Sequence, residues 1–294
     1  MKPKRPAPDL RKIRRALLTA VASDDLLFEM LVFKGGNALE LIHHIGERAS
    51  LDLDFSMEGD AEDAADLEAR LKRSVEDRLD SLALLVFDWR FGPRPNQAPA
   101  GTERWGGYRA EFKVIDRELA RNHGGDLASL RRRAIELGPE HQRIFQIDIS
   151  KFEFCTGRVT AEVDHFPVQV YTPAMIAAEK LRAICQQMPE FAQRRNPAPR
   201  PRDFYDIHAI VTVAGVRLRE HIELVRHMFD AKEVPYRLLG LLARERERAF
   251  HGQGWSAVQQ AVRGEVQPFA FYFEFLSAVS EDLKPLWEVD APLR

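Results

Sequence analysis

Apolar residues recur at every second position in much of the first part of this chain and at helical spacing in the rest, with the change near residue 170. A part that mixes strands and helices followed by an all-helical part predicts an α+β protein with a helical C-terminal region. The expected parts are residues 1–170 and 171–294. Residues 31–33, 51–55, 84–91, 108–115 and 143–154 read as strands from their Val, Ile and Phe content. Residues 10–30 read as one helix capped by Asp9, 38–45 as a second opened by Asn37, and 61–82 as an amphipathic third. A loop containing Gly92, Pro93, Pro95, Pro99 and Gly101 is expected between two of the strands. Beyond Thr172-Pro173, residues 174–187, 204–213 and 219–229 read as helices, separated at 189–202 by a stretch whose prolines exclude helix.

The acidic strand carries the chemistry. In Leu51-Asp52-Leu53-Asp54-Phe55 the apolar and acidic residues alternate, so Asp52 and Asp54 project from one face with Cβ atoms roughly 6–7 Å apart. Two carboxylates that close repel each other, and a hard divalent cation between them relieves the repulsion. A solvent-facing edge strand that deters aggregation would also explain the pattern. Gly35-Gly36 stands just before a helix start, where backbone N–H groups favour phosphate, and Lys34, Arg48 and Ser50 add two positive charges and a hydroxyl nearby. Asp148, between Ile147 and Ile149 on another predicted strand, is a candidate third metal ligand, or else lies on a face that meets solvent or an arginine.

Charge and composition narrow the partners. A net charge of -2 gives the average surface no attraction for nucleic acid, so any RNA contact needs a local patch. Arg131-Arg132-Arg133, Arg194-Arg195 and Arg200-x-Arg202 are the candidates, although arginine runs are also ordinary solvated surface. Cys155 and Cys185 lack metal-type spacing, and no apolar run approaches the roughly 20 residues of a membrane helix, so a cytoplasmic protein with reduced thiols and no membrane partner is expected. His221 and His227 show no zinc spacing. The aromatic run from Phe269 to Phe275 reads as core packing of a late helix or as a docking surface.

Four blocks in order make the sequence familiar. Phe33-Lys34-Gly35-Gly36-Asn37-Ala38-Leu39, then Arg48-x-Ser50-x-Asp52-Leu53-Asp54-Phe55, then Ala178-Glu179-Lys180-Leu181-Arg182-Ala183, then Arg202-Asp203-Phe204-Tyr205-Asp206-Ile207 together resemble the AbiEii/AbiGii-type toxin family. That family is a branch of the DNA polymerase beta-like nucleotidyltransferase superfamily, and the resemblance implies its fold, a small mixed sheet flanked by helices followed by a helical C-terminal region. The resemblance implies that Gly35, Gly36 and the helix opening at Asn37 hold triphosphate oxygens, and that Asp52 and Asp54 bind magnesium, with two ions possible. It further implies that Lys180 reaches the triphosphate and that Asp203 completes the active centre, supported by Asp206 three residues on. Asn37 stands where the family often has threonine; both cap helices.

The implied reaction is transfer of a nucleoside monophosphate from a nucleoside triphosphate to a hydroxyl. The implied setting is a toxin with a cognate antitoxin, acting on RNA at the 3′ end of transfer RNA. A protein or aminoglycoside-like acceptor is a second possibility, and a nucleotide-binding partner without turnover is a third.

Overall fold

A computed structural model describes residues 9–46, 52–96, 105–123, 126–137, 141–193, 196–262 and 264–288. Arg48, Ser50, Arg194 and Arg195 lie outside them. The first predicted helix is two, α1 Leu10–Ala22 and α2 Asp25–Met30. Asp9 caps α1 through the N–H groups of Arg11 and Lys12, and Asp24 caps α2 through those of Leu26 and Leu27. A second capping aspartate restarts the helix, a signal that apolar spacing alone hides. Then come β1 Val32–Lys34, α3 Gly35–Leu41, β2 Leu53–Ser56 and α4 Ala64–Asp80. The helix thus opens at Gly35, and Asn37 sits inside its first turn instead of capping it.

β3 Leu84–Arg94 and β4 Gly107–Asp116 form a long antiparallel pair, so Gly92 and Pro93 belong to a strand and not to the expected loop. Short helices α5 Arg117–Asn122 and α6 Leu127–Arg133 follow, each capped by an aspartate. β5 Phe145–Ser150 leads to a hairpin absent from the sequence reading, β6 Val159–Val163 and β7 Phe166–Val170. Its two-residue turn, Asp164-His165, takes positive φ at both positions, the geometry that matches strand twist. Arg15 on α1 holds the Asp164 carboxylate through two hydrogen bonds.

The seven strands form one sheet in the order β3-β4-β5-β2-β1-β7-β6. The β2–β5 and β1–β7 pairs are parallel, which places the acidic strand at the centre beside β5. Along β5, Phe145, Ile147 and Ile149 are buried while Gln146, Asp148 and Ser150 face the other way, and Asp54 pairs in register with Asp148. The sheet therefore offers one apolar face to the core and one acidic face to the site.

The helical remainder comprises α7 Pro173–Cys185, α8 Pro201–Ala214, α9 Ile222–Asp230, α10 Glu245–His251, α11 Trp255–Ala261, α12 Phe269–Asp282 and α13 Lys284–Trp287. Thr172 caps α7, and Gly215 ends α8 in the left-handed conformation. Phe269, Tyr272, Phe273 and Leu276 of α12 are buried, so most of the aromatic run is core; Phe271 remains exposed. One apolar cluster runs from Ile13 to Leu286 and takes residues from sheet and helices alike. Cys155 and Cys185 are free and buried. Among the described residues no helix is long and apolar enough to cross a membrane.

Candidate active site

β1 delivers the chain to Gly35 with φ of +76°, a conformation that strains any side chain. A Cβ there would also stand 2.7 Å from Asp54 Oδ2, so a second, independent constraint demands glycine. Asn37 is fully buried and does not line the cavity. Its Nδ2 donates to the Asp52 carbonyl at 2.6 Å, and its Oδ1 accepts from Arg14 Nη1 at 2.9 Å. It clamps the backbone under Asp52, a positioning role where the sequence suggested a cap.

Asp52 and Asp54 make no ion pair among the described residues. Burial pushes the Asp52 carboxyl up, Asp148 adds to the push, and Arg109 and Arg202 oppose it. Asp54 is pushed up to about 7: burial dominates, Lys34 opposes, and the negative charges of Asp148, Glu179 and Asp52 reinforce. Asp148 also lies above its ordinary value through burial, against the pull of Arg109. Its two oxygens accept from Arg109 Nε and Nη2 at 2.7 Å each, and Arg94 Nη1 stands 3.0 Å from Oδ2. Asp148 is thus close enough to be felt by both other carboxylates, yet it is held by arginine. Among the described residues no three acidic, His or Cys side chains gather to hold a metal ion.

Lys180, six residues before the end of the α7 turn at Gln186, is buried, with Nζ 2.8 Å from Asp203 Oδ1 and 2.8 Å from Asp206 Oδ2. The two aspartates are three apart on α8 and meet the lysine from one face. Arg200 Nε also binds Asp203. Burial works against ionising Asp203, but Arg200 and Lys180 overcome it and hold its carboxyl well below the usual range.

A second charged cluster escaped sequence reasoning. Glu153 accepts from Arg182 Nη1 at 2.7 Å, and its other oxygen stands 3.7 Å from Lys34 Nζ and 3.5 Å from Lys232 Nζ. Glu179 joins through Lys34 at 3.1 Å. Burial lowers Lys232 to about 8 despite Glu153. Glu179 and Arg182 lie in the same block as Lys180, so that signal was present; Glu153 and Lys232 carried none.

These groups open onto one cavity of about 1260 Å³ lined by Lys34, Gly35, Gly36, Asp52, Asp54, Asp148, Lys180 and Asp203. Asp206 stands behind it, as does Asn37. Of the arginines singled out by sequence, Arg200 and Arg202 line the cavity, whereas Arg131 is paired with Asp88 on the far strand.

Solved structures share the course of this chain over most of its length. JHP933 from Helicobacter pylori is 16% identical, with a TM-score of 0.47 over 95% of this chain and 92% of that one. A second H. pylori structure is 15% identical, with a TM-score of 0.48 over 96% and 97%. An antigenic nucleotidyltransferase-like protein from Paracoccidioides brasiliensis is 12% identical, with a TM-score of 0.39 over 88% and 97%. No curated protein matches. The family model described as "Nucleotidyl transferase AbiEii toxin, Type IV TA system" matches residues 16–281, a span that takes in every block of the cavity from the Gly35 turn to α8. The chain therefore belongs to the AbiEii toxin family and is a nucleotidyltransferase.

Proposed function

We propose that the chain transfers a nucleoside monophosphate from a nucleoside triphosphate to an RNA hydroxyl, at the 3′ end of transfer RNA, in a magnesium-dependent reaction in the cytoplasm. The observation that carries this reading is the convergence of Gly35, Gly36, Asp52, Asp54, Lys180 and Asp203 on one cavity. The proposed division of labour has residues 1–170 supplying the carboxylates and 171–294 supplying Lys180 and Asp203.

The donor set suits a hard cation. Asp54 is half-buried, without an ion pair among the described residues, and raised to about 7 with Lys34 only partly opposing, so its ionised form leaves charge that a divalent ion would neutralise. Asp52 and Asp54 would hold magnesium, which when bound neutralises phosphate charge and steadies the departing pyrophosphate. Asp148 is a less direct participant while Arg109 holds it. Lys180 presents a point charge to the triphosphate, and Asp203 and Asp206 fix its ammonium in place, so its contribution is positioning and electrostatics. Arg200 and Arg202 on the cavity wall favour a polyanionic acceptor. Membership of a toxin–antitoxin family implies a cognate antitoxin as partner.

The test is incubation of the purified chain with magnesium, each labelled nucleoside triphosphate in turn and total RNA, beside Asp52→Ala. Label in transfer RNA with the wild type alone is expected. Label absent from every RNA but present on a protein or an aminoglycoside would refute the RNA acceptor, and equal labelling by Asp52→Ala would refute the site.

A further inference from the structure

Two adjacent glutamines at the end of α7 behave differently. Gln187 uses its amide fully within the protein, its Nε2 donating to the Ala183 carbonyl and its Oε1 accepting from the Ala198 N–H, both at 3.0 Å. Gln186 lines the cavity, is only 7% exposed, and among the described residues its side-chain amide makes no hydrogen bond. Its amide atoms are not sealed from solvent, so they open onto the cavity. An amide that faces a cavity and is not used within the protein is available to a ligand, whose bond replaces one to water.

The surroundings say which ligand. Gln186 follows Lys180 by six residues, about 9 Å along the helix axis, on the same cavity-facing side as Ala183. The same cavity wall includes Trp105, whose ring stacks on Phe191 at 5.1 Å, together with Gln193 and Asn196, which carry amides. The cavity wall thus carries amide and aromatic side chains besides its charged ones, with Arg182 one helical turn before Gln186. A primary amide offers a donor and an acceptor side by side, the pattern that pairs with a base edge, and an indole offers a face for stacking. With phosphates at Lys180, a nucleoside would extend towards Gln186.

We propose that Gln186 reads the hydrogen-bonding edge of the nucleobase of the triphosphate donor, and so sets which nucleotide is transferred. This rests on the cavity being the triphosphate site. The acceptor RNA also ends in a base, and the test separates the two sources.

The experiment is equilibrium binding of each of the four nucleoside triphosphates, and of inorganic tripolyphosphate, to the full chain in magnesium without RNA. Wild type, Gln186→Ala and Gln186→Glu are compared, with thermal melting to confirm that each variant folds. One triphosphate is expected to bind the wild type roughly tenfold or more tighter than the poorest, as one paired base edge allows. Gln186→Ala should erase that preference while leaving tripolyphosphate affinity unchanged, and Gln186→Glu, which removes the donor, should reorder the four. The same ranking in wild type and both variants would overturn the proposal, as would a wild type indifferent to the base. If Gln186→Ala instead alters transfer to RNAs differing only in their terminal base, with donor ranking intact, the assignment to the donor is overturned. Failure of tripolyphosphate and every nucleotide to bind would mark a different fault, that of the triphosphate reading itself.

Discussion

Replacing Asp54 by Asn should stabilise the metal-free protein, and should do so only above acidic pH. The carboxyl is raised from 3.8 to about 7, chiefly by burial. A carboxyl raised in the folded state favours the fold when protonated, and that advantage is lost as pH rises from its unfolded value through 7. The difference is about 3 pKa units, and at 1.36 kcal/mol per unit it amounts to roughly 4 kcal/mol at pH 8. The carboxyl keeps some contact with solvent, so the expected gain is roughly 2–4 kcal/mol, or about 5 °C or more in melting temperature. Urea denaturation of both proteins in EDTA at pH 4 and pH 8 measures it. Near pH 4 the two should be almost equally stable; at pH 8 the Asn variant should be the more stable. Adding magnesium should then raise the wild type more than the variant, because binding to the folded state alone adds stability in proportion to affinity. An Asn variant no more stable at pH 8, or one equally favoured at both pH values, would refute the account of Asp54 as a half-buried charge that Lys34 offsets only in part.

Three further outcomes follow from the charge pairs. Lys180→Ala removes the ammonium that Asp203 and Asp206 share and leaves their two buried carboxylates side by side with Arg200 still on Asp203, so a loss of roughly 3–5 kcal/mol by denaturation is expected, whereas Asp52→Ala should melt no lower than wild type. Glu153 is held well below its usual value by Arg182, Lys34 and Lys232 against the cost of burial, so its contribution is present above the unfolded value of 4.5 and lost as pH falls below it. Glu153→Gln should therefore destabilise by roughly 3–5 kcal/mol at pH 7, with the gap closing in acid; a gap that stays constant with pH would exclude ionic pairing as its cause. Arg109→Leu frees Asp148 from its bidentate partner and adds negative potential beside Asp52, so manganese(II) affinity by electron paramagnetic resonance should tighten roughly tenfold, and weaker binding would place Asp148 outside the cation's surroundings.

Periodicity and local turn chemistry were enough to read the central strands, the helical remainder and the carboxylate pair. Asp9, Thr172 and the Asp52–Asp54 alternation act over a few residues, which is the range that spacing rules describe. The missed hairpin at residues 159–170 was also local. Its two-residue Asp164-His165 turn between alternating stretches is a recognisable signal, obscured by Pro167 within the second strand.

What the sequence could not reveal depends on long-range closure. Glu153 meets Lys34, Arg182 and Lys232 only after β1, α7 and the end of α9 converge, and none of those residues has a spacing that announces the others. Nothing in the sequence separates Gln186 from Gln187 either; the helix turn aims one at the Ala183 carbonyl and leaves the other facing the cavity. The same closure explains Asn37. Its side chain looked like a cap because caps are the usual local use of asparagine at a helix start, but Arg14 and the Asp52 carbonyl, one before it and one after it in the chain, satisfy its amide instead. A residue that spends both ends of its amide on distant partners holds the backbone at Asp52, and the geometry of the acidic pair then follows from contacts that no short motif contains.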